Sequence, residues 1–391
     1  MSDNGVDGPD RMEVGRRSVL ATTAATMIFG LAGCTSLPGT GGNKDETNNV
    51  SKSDIMGSGP LVENRPTPGG TSMDDMPNLA GKLTLYLGGG EGGLYQRLIE
   101  YIDGKYPDLE ILVKTDSSAS LANTIIEETK GSGSRADLFL SIDAGSLGVV
   151  ADSGATVSLP RTVLKKVQPH YRGPNGSWVG IEGRARTIPY NTDKLSRSDI
   201  PDDIFALPNQ QRFDGAMGWA PSYGAFQSFI TAMRVLNGDK KTKAWLQGMK
   251  NQKATTYKDE FLVSNAVADG EIAAGFANHY YALRVQSQRP DAPIDLAFTK
   301  NDAGALVNVS GAEIIKGTDQ KELAGNFALH LLSSEAQEFF ATVTLGYPMI
   351  SGVKPVGGLP PIEKLRPPEM DLSKLSNVQP TLELMREVGV L

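Results

Sequence analysis

The chain has 391 residues, with 38 Lys and Arg against 45 Asp and Glu, a net charge of −7, three histidines and one cysteine. Mild acidity argues against nucleic acid as a partner. A lone cysteine excludes an internal disulfide and a thiolate metal cluster, and three scattered histidines without an HExxH run argue against a zinc enzyme.

The residues through about Glu13 are polar and turn-prone. Arg16-Arg17, Ser18-Val19-Leu20 and a short apolar run follow, closing at Leu31-Ala32-Gly33-Cys34. A bilayer span needs about 20 apolar residues, so this pattern reads as an export signal over residues 1–33. Leu-Ala-Gly-Cys is the pattern of lipoprotein processing, in which the cysteine is acylated and becomes the new N-terminus. Cys34 is therefore the expected lipidation site. The twin arginine points to the Tat route, in which the protein folds before crossing. Val19 occupies a place where that motif often has Phe, which leaves the Sec route open. Residues 1–33 hold four acids and three bases, so the mature chain carries −6. Residues 34–80 are rich in Gly, Pro, Ser, Thr, Asn and Asp, and are expected to form a flexible tether.

From Lys82 the pattern changes. A strand is expected over Leu83–Leu87, a loop over Gly88–Gly93, and a helix with Leu94, Leu98, Ile99 and Ile102 on one face. A strand at Leu109–Val113, a helix at Leu121–Glu128 and a strand at Asp137–Ser141 continue the alternation, which implies a mostly parallel sheet covered by helices. Thr187–Tyr190 reads as a crossover strand into a second lobe, with helices at Phe226–Leu236 and Thr242–Lys250 separated by Gly238. Gly304–Ile315 reads as the return crossover, and amphipathic helices are expected over Asn326–Val343 and near the C-terminus. The expected lobes are 81–186 with about 311–361, and 187–310 with about 362–391.

The glycine run Gly88–Gly93 lacks the Lys-Ser/Thr ending of a P-loop and the spacing of a dinucleotide fingerprint. It reads as a tight strand-to-helix turn whose amides could bind an anion. His330 falls in an amphipathic helix and reads as structural. No nucleophile elbow or acid/base pair stands out, so no enzyme activity is expected. The informative cluster is Asn278-His279-Tyr280-Tyr281, after the strand-like Ile272–Ala277. Adjacent tyrosines in a strand point to opposite faces, whereas at a strand-to-helix junction both rings can converge. Two phenolates would make a hard anionic oxygen site. A phenol titrates near 10, so only a strong Lewis acid such as ferric iron displaces its proton. The alternative is aromatic packing at a domain edge.

At these residues the sequence resembles the ferric-iron-binding solute receptors of ABC importers, within the type II periplasmic-binding-protein superfamily. The resemblance spans about Leu83 to Leu391. It rests on Ser177-Trp178-Val179-Gly180, Gly183-Arg184-Ala185-Arg186 with Tyr190-Asn191-Thr192-Asp193, Gly218-Trp219-Ala220-Pro221-Ser222-Tyr223-Gly224, Asn278-His279-Tyr280-Tyr281 and Gly304-Ala305-Leu306-Val307-Asn308. It implies an α/β fold of two lobes, with two crossover strands and a ligand cleft between them. It further implies Tyr280, Tyr281 and Tyr223 as Fe(III) ligands, and Arg184 or Arg186 with Asn278 on a carbonate-like anion. The implied partners are an ABC permease with its ATPase subunit, reached from the outer face of the cytoplasmic membrane by a lipid-anchored monomer.

The first-lobe side departs from that family. A His or His-Tyr pair is expected after the first strand, but Glu91 is the only ionisable group there, and Asp143 stands where some members have Glu. Asp143 and Glu91 are thus the candidate additional oxygen donors, with a helix N-cap the other reading of Asp143. Asp259 and Glu260 stand where an Asn is expected after Tyr257. The alternative cargo on the same fold is an oxyanion or organic anion held by Arg184, Arg186 and the glycine-loop amides.

Overall fold

The computed structural model describes residues 50–89, 93–131 and 133–391. Arg16, Arg17, Cys34 and Glu91 lie outside the described residues. The first elements are β1 (Gly81–Gly89), α1 (Leu94–Lys105), β2 (Leu109–Ser117), α2 (Ser118–Lys130), β3 (Leu138–Ser141) and α3 (Ala144–Asp152). Leu98, Ile99 and Ile102 of α1 are buried, as the helical spacing predicts. β1 pairs in parallel with β2 on one side and with β3 on the other. Two short elements, β4 (Thr156–Val157) and α4 (Arg161–Leu164), lead to β5 (Val179–Asn191).

The crossover strand expected over Thr187–Tyr190 is the second half of a longer strand, β5. The chain runs extended from Val179 without a break, and 12 of the strand's 13 residues are buried. Both of its faces are covered, so its mostly buried residues give little polar alternation beyond Glu182, Arg184 and Arg186. Beyond β5 come β6 (Met217–Trp219), α5 (Gly224–Asn251), β7 (Thr255–Thr256), α6 (Glu260–Ala268), β8 (Ala274–Gly275), β9 (Ala277–Asn278), α7 (His279–Gln288) and β10 (Ile294–Ala297). The chain returns through β11 (Val307–Ile315), α8 (Lys321–His330), α9 (Ser334–Thr342) and β12 (Tyr347–Pro348), and ends in α10 (Gln379–Val388).

The sheet is mixed rather than mostly parallel, because every pairing made by β5 and β11 is antiparallel. β5 changes partners half way. Val179 to Ala185 face β11, with β12 opposite Glu182 and Gly183, while Arg186 and Thr187 face β9 and Ile188 to Asn191 face β10. One strand therefore belongs to two sheet regions, and residues near Arg186 sit at their junction.

Gly238 breaks α5 as expected. Its φ of 79° is a left-handed conformation that an L side chain rarely adopts, and it separates two helical segments. The helix expected over Asn326–Val343 is two helices instead, with Ser333 capping the second through the Ala336 N–H at 3.1 Å. The tail from Leu372 touches both halves of the molecule. Its 3-10 turn Leu372–Ser376 lies flush on α3, where a Cβ on Gly148 would meet the Ser373 Cα at 2.7 Å, and α10 joins α5 through Thr381 and Thr231 hydroxyls 2.9 Å apart.

The expected tether is corrected as well. From Val50 onward the polar segment packs on the domain, with Ile55, Met73 and Leu79 fully buried. Each buried side chain of this size contributes about 1.5–3 kcal/mol, enough to offset local ordering. Two acids one turn apart on α9 grip the segment. Glu338 takes Arg65 at 2.8 and 2.9 Å, and Glu335 accepts the Ser72 hydroxyl at 2.7 Å and the Met73 N–H at 3.0 Å. These partners lie more than 260 residues away in sequence, which is why composition alone suggested a tether.

Candidate functional site

Strand geometry sends alternate side chains to one face, so Glu182, Arg184 and Arg186 of β5 form a charged stripe. Arg186 is 2% exposed and pairs directly with Glu260, which is fully buried at the first position of α6. The second Glu260 oxygen accepts the Asn278 N–H at 2.8 Å. Burial pushes the Glu260 carboxyl above its ordinary range, and the Arg186 guanidinium and the Asn278 N–H pull it back. Arg186 also lies 5.0 Å from the centre of the Phe229 ring. Its charge is thus compensated inside the protein.

Arg184 has a different setting. Its Nη2 lies 3.7 Å from Glu182 Oε2, and its guanidinium lies 5.8 Å from the centre of the Tyr280 ring. It borders two adjoining cavities. One, of about 330 Å³, is also lined by Asp143, Arg186, Tyr223, Asn278 and Tyr280. The other, of about 240 Å³, is lined by Gly88, Gly89, Tyr95, Glu182, Tyr280 and Thr344 among others.

Tyr280 and Tyr281 fall in the first turn of α7, with Asn278 at its N-cap. A helical step keeps consecutive rings side by side, and their centroids are 4.4 Å apart at 49°. Tyr223 is the N-cap residue of α5, and its hydroxyl is hydrogen-bonded to that of Tyr281. Asn278 Nδ2 donates to the Tyr280 hydroxyl at 3.3 Å. Arg284, one turn on, places its guanidinium 5.2 and 5.4 Å from the centres of the Tyr280 and Tyr281 rings. The three expected tyrosines, Asn278 and the two expected arginines are therefore gathered in one place, with two helix N-termini and their positive dipole ends beside the phenols. Asp143 lines the same cavity, but both of its oxygens cap α3, on the Ser146 N–H at 2.7 Å and the Ser146 hydroxyl at 2.9 Å.

His279 does not face the site as a donor. It is fully buried, its Nδ1 accepts the Ala185 N–H at 3.2 Å, and burial lowers its pKa to about 3, so the ring is neutral near pH 7. His330 is structural as expected, held by the Tyr106 hydroxyl and the Asn326 carbonyl, each at 2.7 Å. Among the described residues no group of three or more His, Cys, Asp or Glu comes together in a way that could hold a metal ion.

Sequence reasoning missed Glu182 and Tyr95. Glu182 is 2% exposed and accepts from the Tyr95 and Thr344 hydroxyls, with Ser310 Oγ at 3.2 Å. Burial, with Glu182 beside it, pushes the Tyr95 phenol well above its ordinary pKa. The period-two spacing of Glu182, Arg184 and Arg186 was the available signal.

The family model for bacterial extracellular solute-binding proteins matches residues 134–369. The Fe(3+)-binding periplasmic protein of Serratia marcescens is 29% identical over 297 residues, covering 74% of this chain and 86% of that one. The major ferric iron-binding protein of Neisseria meningitidis serogroup B is 30% identical over 293 residues, covering 72% and 86%. Among solved structures, iron-bound HitA from Pseudomonas aeruginosa superposes with a TM-score of 0.68 at 29% identity, covering 79% of this chain and 99% of its own. The Trichodesmium protein IdiA (FutA), in complex with iron and citrate ligands, gives a TM-score of 0.68 at 26% identity, covering 79% and 99%. The fold is the two-lobe α/β fold of the periplasmic binding proteins, with a ligand cleft between the lobes. The chain belongs to the family of bacterial extracellular solute-binding proteins.

Proposed function

We propose that this protein captures ferric iron through the phenolates of Tyr223, Tyr280 and Tyr281 and delivers it to an ABC permease with its ATPase subunit. The observation that carries the reading is the convergence of these three phenols at two helix starts beside Arg184. Three phenolates balance the charge of Fe(III), and hard anionic oxygen suits it. The ferric relatives in Serratia and Neisseria support the same cargo. Arg184 is the better candidate than Arg186 for holding a carbonate-like anion that completes the coordination, since Glu260 already compensates Arg186. Asn278 steadies Tyr280. Asp143, which caps α3 through Ser146, and Glu91 are given no place in this ligand set.

The lobes of this reading are 81–186 with about 311–361, and 187–310 with about 362–391. Their junction at Arg186 accords with the change of partners along β5. Closure would occur by a hinge at β5 and β11. The receptor works as a monomer, without turnover, anchored through a lipid on Cys34 to the outer face of the cytoplasmic membrane. No helix among the described residues is long and apolar enough to cross a membrane.

The test is optical. Purified protein given ferric citrate should develop a visible phenolate-to-iron charge-transfer band, and Tyr280→Phe or Tyr281→Phe should abolish or strongly weaken it. A chain that shows no band refutes the iron assignment. The second reading, an oxyanion or organic-anion receptor, is favoured by one observation: Arg184 borders both cavities. Mass spectrometry of the ligand-bound protein together with metal analysis separates the two.

A further inference from the structure

Glu182 is a buried carboxylate on the wall of the site, and the proposed capture of iron gives it no task. Four elements fix it. Tyr95 reaches it from α1, Ser310 from β11, Thr344 from the end of α9, and Arg184 lies two residues along β5. The backbone at Gly346 packs flush against it, where a Cβ would fall 2.1 Å from Glu182 Oε1. This carboxylate has no room to swing away.

Its relation to Arg184 differs from that of Glu260 to Arg186. Arg186 is locked by direct contact. Arg184 stands 3.7 Å from Glu182, beyond direct hydrogen-bond distance, and its guanidinium borders both cavities. Glu182 thus offsets part of the charge of Arg184 without a direct hydrogen bond to it.

We propose that Glu182 is a positioning residue acting as the built-in counter-anion of Arg184, holding the cleft's affinity for a small oxyanion low until a cation arrives. The inference rests on the reading of Arg184 as the anion-holding arginine. An oxyanion docked on Arg184 in the empty cleft sits beside a fixed like charge in a partly desolvated setting, where repulsion is weakly screened. A trivalent cation on the tyrosines reverses that balance. Anion and metal are then taken up together, and the empty receptor does not fill with the free anions around it.

Inorganic phosphate binding to the metal-free full chain, measured by calorimetry, tests this without iron. Glu182→Gln should bind phosphate roughly tenfold more tightly than the wild type. In an Arg184→Gln background the same change should have no effect, which a merely structural role would not produce. Glu182→Asp draws the carboxylate back by one methylene and should tighten binding at least about twofold, and it serves where the glutamine variant does not fold. Phosphate affinity that is unchanged or weaker in a folded Glu182 variant overturns the proposal. A missing charge-transfer band with ferric citrate would instead overturn the iron reading and leave the phosphate measurement to stand by itself.

Discussion

At the scale of single residues, the account assigns the chemistry to phenols whose neighbours are unlike one another. Tyr223 and Tyr281 share a hydrogen bond, whereas Tyr95 is tied to Glu182 and raised far above its ordinary pKa. Removing one phenolate ligand by Tyr281→Phe should lower iron affinity by more than about a hundredfold, since loss of outer-shell partners alone costs 10–100-fold. Competition with citrate measures it. Tyr95→Phe should leave the band in place. Because ligand phenols must lose protons to bind, iron retention should weaken as the pH falls. Glu260→Ala would strand the buried charge of Arg186 and should destabilise the fold by about 3–5 kcal/mol in urea unfolding. The adjacent tyrosines and the arginine pair were legible in the sequence because they are contiguous. Glu260 was visible only as a departure from an expected Asn, since its partner lies 74 residues away. Its choice of Arg186 is what distinguishes the two arginines.

At the scale of elements, α9 carries more than packing. Glu335 and Glu338 hold the segment from Val50 to Ala80 against the domain. Burial alone would raise the Glu335 carboxyl, but the Ser72 hydroxyl, the Met73 N–H and Lys52 outweigh it and bring its pKa to about 2. The folded value lies below the ordinary one, so these contacts stabilise the protein fully above about pH 5 and are lost as the pH falls toward 2. Acid unfolding should show this component, worth on the order of 2 kcal/mol, and Glu335→Gln should lack it. The helices and first strands were legible because their apolar spacing is regular, as at Leu98, Ile99 and Ile102. The first half of β5 and the Val50–Ala80 segment were not. One is buried on both faces, and the other is ordered by partners that a local window does not contain.

At the scale of the whole molecule, β5 and β11 join the two halves, and the phenols and Arg184 lie where β5 changes partners. The tail touches both halves through Ser373 on α3 and Thr381 on α5, so removing residues 371–391 should lower thermal stability as well as disturb closure. The crossover segments at Thr187–Tyr190 and Gly304–Ile315 pointed to two lobes, and the resemblance added the ligand cleft between them. The most direct test of the central claim is the visible spectrum of the purified full chain titrated with ferric citrate, with metal content measured on the same sample. A charge-transfer band saturating at one iron per chain, and lost in Tyr280→Phe and Tyr281→Phe, is the expected result. A colourless protein without bound iron, or a band indifferent to both substitutions, would contradict it.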